Sequence, residues 1–337
     1  MKRISLLGLV SALALLEPAA AQQPPSIPRT DAIRLAEAFR LADAVGDKIW
    51  PKWSAAPFAV ILITPDYEFL VRHPGPTPDW ISLGHDTLLD ARVWYRKRQF
   101  PVTFLATFPA VGNTPTIVVG QAEHTTAKTS TPWVLTLLHE HFHQYQYSQP
   151  GYYDSAATLG LAHGDSTGMW MLNFPFPYAD KAVQKKFAAA ARALREALYK
   201  NGTPALGNAL ATYRGEMATL RASISAEAWT YLQFQLWQEG IARYTEFVVA
   251  GAATRGYRPD SAFSALKDFV PYSSVAQSLF MGISDQLLNE DLGDSKRSVV
   301  YDFGAAQGLI LDYVQPHWRT RYFTPMFTVD ARLEPPK

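Results

Sequence analysis

The spacing of apolar residues divides the chain into two regions of different character. Residues 30–50 repeat apolar side chains at helical intervals, which predicts an amphipathic helix. Residues 57–72 predict two strands joined at Pro65-Asp66, a pair typical of turns. Two further strands are predicted at Val102–Phe108 and Thr116–Gly120. The first 120 residues therefore predict one helix followed by a sheet.

From about residue 132 the pattern becomes helical. Strand signals nearly vanish, and composition or period favours six helices, at residues 132–147, 180–200, 205–222, 225–252, 274–290 and 297–314. Residues 149–180 contain Gly and several Pro, and predict a long loop of a kind often found beside functional sites. We therefore predict an α+β fold with an N-terminal α+β subdomain at 22–125 and a mainly helical subdomain at 126–337.

The N-terminus has the order of a secretory signal peptide. Lys2 and Arg3 precede an apolar stretch, Ile4–Leu16, and small residues follow at Ala19–Ala21. The apolar stretch is shorter than the roughly 20 residues that span a bilayer. We predict a signal peptide at residues 1–21, cleaved after Ala21, and a secreted or periplasmic protein. An uncleaved anchor or a core helix is the alternative, and no later segment predicts a membrane span.

Composition and charge narrow the class of protein. Hydrophobic residues make up 48% of the chain and charged residues 18%, a balance typical of a folded globular protein. The formal net charge is +1 and basic runs are absent, which argues against a nucleic-acid partner. Cysteine is absent, so any zinc site must use histidines and carboxylates. Oligomeric state is left open.

The segment His139-Glu140-His141-Phe142-His143 contains the pattern H-E-x-x-H. On a helix, residues i and i+4 differ by about 40° and about 6 Å, so His139 and His143 can chelate one ion. Glu140 lies beside them and can act as general base. His141 points about 200° away from His139 and is interpreted as a packed residue. The alternative is a helix that carries two histidines by chance.

A catalytic zinc ion takes three protein ligands and keeps one position open. Glu239 is the candidate for the third ligand, because it lies in the middle of a helix, 225–252, that is apolar on most sides. A buried carboxylate there is unfavourable unless it is paired or bound to a metal. Glu246 lies on nearly the same face and can accept a hydrogen bond from a ligating histidine. An ordinary i,i+4 pair between Glu239 and Arg243 is the alternative.

Two motifs of the chain together resemble those of a known family. H-E-x-x-H followed by Glu239–Glu246, which reads E-G-x-A-x-Y-x-E, is similar to the gluzincin metallopeptidases, especially the aminopeptidase N group. The resemblance implies a zincin-like fold and one zinc ion held by His139, His143 and Glu239. It also implies that Glu140 is the base and that the substrate is a peptide or a small amide.

Two further motifs of the family are partly present. Tyr301 matches a tyrosine that donates a hydrogen bond to the tetrahedral intermediate, whereas Phe303 stands where the family has lysine. Gly120–His124 keeps the Gly and Glu of the family's substrate-amine motif, which makes Glu123 a candidate contact for a substrate amine. The resemblance covers three short motifs, and it supports "metallopeptidase" rather than "aminopeptidase".

The chain differs from the family in the length of the segment between the two motifs. Two alternative functions also stay open. The gap between H-E-x-x-H and Glu239 is much longer, so the inserted residues must form extra helices or a cap. A non-catalytic metal-containing module that binds peptide or glycan is one alternative, with His124 or His163 as a fourth ligand. A serine hydrolase is the other, because Gly164–Gly168 matches G-x-S-x-G around Ser166. That motif needs a strand before it and a helix after it.

Overall fold

The structure, a computed structural model, describes residues 24–333 of the chain. The predicted signal peptide at residues 1–21 and its cleavage site lie outside this range. Within the described range, no helix is both long enough and apolar enough to cross a membrane.

A six-stranded mixed sheet occupies the N-terminal half. Its strands are β1 (Val60–Ile63), β2 (Tyr67–Val71), β3 (Ile81–Asp86), β4 (Ala91–Lys97), β5 (Leu105–Val111) and β6 (Thr114–Gly120). Their order across the sheet is β3-β4-β2-β1-β6-β5. β1 and β6 run parallel, and every other neighbouring pair is antiparallel. β5 is therefore an edge strand, joined to the sheet only through β6.

The central strands are buried on both faces because their side chains alternate between two apolar clusters. On β1, Val60 and Leu62 join the main core, while Ile61 and Ile63 join a smaller cluster with Trp80. The main core continues into the helices, so one face of the sheet carries the helical half.

Twelve α-helices account for most of the remaining described chain. They are α1 (Arg29–Ile49), α2 (Ser130–Tyr147), α3 (Tyr152–Ala157), α4 (Trp170–Asn173), α5 (Lys181–Tyr199), α6 (Leu206–Arg221), α7 (Ala226–Gln235), α8 (Ile241–Thr254), α9 (Ser261–Ser264), α10 (Tyr272–Leu288), α11 (Leu292–Ser295) and α12 (Val299–Val314). One π-helical turn, Leu236–Gly240, joins α7 directly to α8. α2 packs against α1, α8, β5 and β6, and α12 packs against α8 and the π-turn.

The predicted α+β architecture is confirmed, with the sheet in the N-terminal half and mainly helices after it. Two strands, β3 and β4, were not predicted. β3 is mostly exposed and Ile81 keeps 56% of its surface accessible, so its sequence lacks the apolar alternation that marks a half-buried strand. The predicted loop at 149–180 contains the short helices α3 and α4. The residues between α2 and Glu239 form the helices α3 to α7 and the loops that join them.

Candidate metal centre

Helix α2 presents His139, Glu140 and His143 as buried side chains. A tertiary contact holds the start of this helix, because Asp268 accepts hydrogen bonds from the Ser130 backbone N–H (3.0 Å) and hydroxyl (2.7 Å). A carboxylate at this position satisfies a free N–H group and complements the helix dipole. The i,i+4 histidines then follow from helical geometry, as predicted.

Glu239 comes from the π-turn and completes a group of three. The Nε2 atoms of His139 and His143 lie 3.1 Å apart. Glu239 Oε2 lies 3.3 Å from His143 Nε2 and 3.7 Å from His139 Nε2. In a tetrahedral site with metal–ligand distances of about 2.0–2.1 Å, ligand atoms are separated by about 3.3–3.4 Å. These donor atoms therefore have the spacing of three corners of one tetrahedron, and the group can hold a metal ion.

The glycine after Glu239 explains how this carboxylate reaches α2. A Cβ on Gly240 would lie 2.5 Å from Gly304 Cα and 2.8 Å from the carbonyl oxygen of Val300, both in α12. A Cβ on Gly304 would meet Gly240 Cα at 2.6 Å. The two helices therefore cross at backbone contact, which places Glu239 and Tyr301 on the same side of that crossing. Close packing against α12 thus explains why glycine follows Glu239.

Both candidate histidine ligands are oriented through their second ring nitrogen. His139 Nδ1 lies 2.6 Å from Glu246 Oε1, the contact that the sequence predicted. His143 Nδ1 lies 2.7 Å from Gln146 Oε1. Gln238 Nε2 also lies 3.1 Å from His143 Nδ1, and the two Nε2 atoms are directed toward each other, 3.1 Å apart, at the centre. Such outer contacts fix the tautomer and the ring orientation of metal-ligating histidines.

Gln146 also ties the ligand helix to the π-turn. Its amide nitrogen donates to the carbonyl oxygen of Gln238 (3.1 Å) and to the hydroxyl of Tyr322 (2.9 Å). That hydroxyl in turn donates to the carbonyl oxygen of Trp237 (2.6 Å). These carbonyls lie in the π-turn, so side chains satisfy acceptors where the regular helical hydrogen bonding is interrupted. One glutamine therefore contacts both the His143 ring and the turn that carries Glu239.

The electrostatics of the centre favour a cation. Burial opposes a charged imidazole, but the carboxylates of Glu239 and Glu246 outweigh it and raise the pKa of His139 to about 10. Burial likewise opposes a charged carboxylate at Glu239, yet His143, His139 and Arg297 hold its pKa well below the usual range. The same carboxylates that favour a charged imidazole at His139 would also favour a metal cation at this position.

Glu140 lies next to the ligands and is held from the sheet. The Thr107 hydroxyl donates to Glu140 Oε2 (2.7 Å) and contacts the Glu140 carbonyl oxygen (3.2 Å). Thr107 lies on the edge strand β5, so the sheet contributes directly to the centre. One carboxylate oxygen of the candidate base is anchored by this contact.

Tyr301 stands on α12 beside His139, with ring centroids 5.9 Å apart and planes inclined by 26°. Burial, followed by the charge of Glu239, raises the pKa of its phenol, so it keeps its proton at neutral pH. Arg297 donates to Glu239 Oε1 (3.2 Å) and lies 5.7 Å from the Tyr301 ring centroid. Phe303 is buried, and its ring packs against Phe187 of α5 with centroids 5.2 Å apart.

The other histidines lie outside the group. The His141 ring stacks on Phe58 (4.0 Å, 3°) and Trp53 (5.2 Å, 20°), and burial lowers its pKa to about 4. It is a packed residue, as predicted. His163 is exposed and contacts Glu227. In the described part of the chain the metal-type group comprises three residues, and it includes neither His163 nor His124.

Glu123 lies in an ion-pair cluster at the start of α2. Arg34 joins it (3.1 Å) to Asp268 (3.0 Å) and also donates to the Ser130 hydroxyl (2.9 Å). Ser130 precedes His139 by nine residues, about 13 Å along a helix. The structure thus gives Glu123 a partner that holds the helix start, and its contact with a substrate amine stays a prediction.

Ser166 lies on an exposed turn between Gly164 and Gly168, both of which have positive φ. Residues 156–163 do not form a strand, and the four-residue helix α4 follows. The strand–turn–helix that a nucleophile elbow requires is not formed here.

Sequence reasoning missed Gln146 and Thr107. Gln146 had a usable signal, because it lies three residues after His143 and therefore on the same helix face. Thr107 had none, since only the docking of β5 against α2 brings it to Glu140.

No protein-family model, curated protein or solved structure matches this chain.

Proposed function

We propose that this protein is a zinc-dependent metallohydrolase that cleaves peptide or related amide bonds. The convergence of His139, His143 and Glu239 at tetrahedral spacing carries the proposal, together with Glu140 on the same helix turn. Secretion, as the N-terminal sequence predicts, is part of the proposal.

The donor set favours zinc over other common ions. Two imidazoles and one carboxylate suit zinc, whereas magnesium and calcium prefer oxygen ligands. Three protein ligands also leave a tetrahedral position open, which is typical of catalytic rather than structural zinc. When bound there, zinc would polarise a carbonyl group and lower the pKa of a coordinated water to about 7.

The residues of the chain supply the remaining chemistry. Glu140 accepts the proton of the attacking water and returns it to the leaving nitrogen. Thr107 anchors Glu140 Oε2, which keeps the base in one orientation. The Tyr301 phenol donates a hydrogen bond to the oxygen that becomes negative as the carbonyl carbon turns tetrahedral.

A zincin-like architecture belongs to the same proposal. The ligand helix α2 packs against the edge strand β5 on one side and the Glu239 segment on the other. This arrangement agrees with what the gluzincin resemblance implies, and it brings the motifs of both halves together at one centre.

The test is metal content and hydrolysis measured on the same preparation. We expect one zinc ion per chain and cleavage of a fluorescence-quenched peptide library. Glu140→Gln should keep zinc and lower kcat by on the order of 10²–10⁴-fold, whereas Glu239→Ala should lose zinc during dialysis. Ser166→Ala is the matched control and should retain full activity.

Other outcomes would refute the assigned roles or favour a different function. Full activity in Glu140→Gln, or unchanged zinc occupancy in Glu239→Ala, would refute the assigned roles. Zinc without cleavage of any library member would favour a metal-containing binding module. Loss of activity in Ser166→Ala alone would favour a serine hydrolase.

A further inference from the structure

One more side chain of α2 faces the metal centre. Tyr147 lies one helical turn after His143, and helical side chains lean toward the helix N-terminus. The Tyr147 ring therefore reaches back along the helix and stacks beside the His143 ring, with centroids 6.1 Å apart and planes inclined by 19°. Tyr147 is half-buried, so part of its side chain is accessible to solvent.

Tyr147 repeats at His143 the relation that Tyr301 has to His139. The rings of Tyr301 and His139 have nearly the same geometry, with centroids 5.9 Å apart and planes inclined by 26°. The charges of Glu239 and Glu140 act on both phenols, and Tyr301 also acts on Tyr147. Each candidate histidine ligand thus has its own tyrosine, one from α2 and one from α12.

The hydroxyl of Tyr147 is available to a ligand. Within residues 24–333 it has no hydrogen-bond partner, although buried phenols usually find one. Two tyrosines close to it in the chain have partners for their hydroxyl groups. Tyr145 donates to the carbonyl oxygen of Pro51 (2.6 Å), and Tyr152 donates to Gln238 Oε1 (2.9 Å).

The surrounding aromatic rings hold the Tyr147 ring in place. Tyr152 packs edge-on against it (5.1 Å, 66°), and Tyr153 stacks on it (6.2 Å, 23°). Tyr153 itself is 52% exposed. A fixed ring with an unpaired donor is preorganised to bind an oxygen that gains negative charge, because little reorganisation is needed.

We propose that Tyr147 is a second catalytic phenol, which donates a hydrogen bond to the carbonyl oxygen of the scissile amide. The inference rests on the proposed function. As the water oxygen bonds to the carbonyl carbon, the carbonyl π pair moves onto oxygen and Glu140 takes the water proton. When the C–N bond breaks, that proton passes to the leaving nitrogen. Tyr147 keeps its own proton throughout and acts only as a donor, alongside Tyr301.

The test compares Tyr147→Phe with Tyr145→Phe in the full chain loaded with zinc. Both variants remove one hydroxyl from α2, but only Tyr147 faces the centre. We expect Tyr147→Phe to lower kcat about 10²–10³-fold, with KM within about threefold and one zinc ion retained. The Kd of a phosphinic peptide, which mimics the tetrahedral carbon, should rise by a similar factor in calorimetry. Tyr145→Phe should leave kcat, KM and this Kd unchanged.

The outcomes separate this inference from the function on which it rests. Wild-type protein that binds no zinc or cleaves no peptide would overturn both. An active wild type whose Tyr147→Phe variant keeps its kcat and its affinity for the phosphinic peptide would overturn the role of Tyr147 alone. The ring is retained in this variant, so a folded protein is expected, and its thermal unfolding curve checks that.

Discussion

Gly240→Ala places a methyl group where two helices meet at backbone contact. The new Cβ would lie 2.5 Å from Gly304 Cα and 2.8 Å from the Val300 carbonyl oxygen, whereas favourable contacts lie at about 3.5–4.0 Å. Backbone atoms cannot rotate away, so α12 and the π-turn must separate by about 1 Å. Overpacking of this kind costs about 1–3 kcal/mol.

The magnitude follows from two opposing effects. Replacing glycine by alanine inside a helix stabilises it by about 1 kcal/mol, which offsets part of the overpacking. The difference between the two effects is about 0–2 kcal/mol. Because both contacting groups are backbone, we expect the free energy of unfolding to fall by an amount in the upper half of that range, about 1–2 kcal/mol. Gly215→Ala in α6 is the matched control, since a Cβ there meets nothing within 4 Å. It should stabilise the protein by about 0.5–1 kcal/mol.

Equilibrium urea unfolding of the metal-free variants, followed by tryptophan fluorescence, measures both values. A second measurement is zinc affinity, because Glu239 adjoins Gly240 and Tyr301 lies one turn before Gly304. We expect zinc affinity to fall about tenfold or more in Gly240→Ala, because changes to the residues that position metal ligands typically lower metal affinity 10–100-fold. Zinc affinity should stay unchanged in Gly215→Ala. A Gly240→Ala protein as stable as Gly215→Ala, with wild-type zinc affinity, would refute the backbone-contact argument.

Two further predictions concern charged groups. Glu246→Gln removes the charge that faces His139 Nδ1 and should weaken zinc binding by about 10–100-fold; competition with a chromophoric chelator measures this, and a change under threefold would contradict it. Glu290 is buried, and burial, followed by the charge of Asp302, raises its pKa to about 7 from an ordinary 4.5. Its ionised form is therefore disfavoured in the folded state, and stability present below about pH 4.5 is lost as pH rises through about 7. Glu290→Gln should be more stable than wild type at pH 8.5 by about 2–3 kcal/mol but not at pH 4.5, in urea titrations; the exposed Glu196→Gln should show no such pH-dependent difference, and a pH-independent effect at Glu290 would count against the argument.

Much of the candidate site follows from local sequence. Because the helical repeat is a property of the backbone, the i,i+4 spacing of His139 and His143 places both on one face wherever that segment is helical. The carboxylate of Glu239 stood out because an ionised group inside an apolar helix needs a partner. Glu246 followed from its spacing of seven residues. These inferences needed only periodicity and the energetics of burial.

Other features depend on contacts between segments distant in the chain. β3 is stabilised by hydrogen bonds to β4 rather than by apolar burial, so its side chains carried little signal. The π-turn at Leu236–Gly240 is held by Gln146 and Tyr322 from elsewhere in the chain, and no local propensity predicts it. Thr107 reaches Glu140 only because β5 docks on α2.

The sequence by itself determined which side chains could hold a metal ion, because their types and helical spacing are local properties. Only the tertiary structure decided that the Glu239 carboxylate meets the two histidines at 3.3 and 3.7 Å. The close crossing at Gly240 and Gly304 positions that carboxylate, and the same packing brings Tyr301 beside His139. Distances between helices depend on how side chains fill the space between them, and that information is shared among residues far apart in the chain.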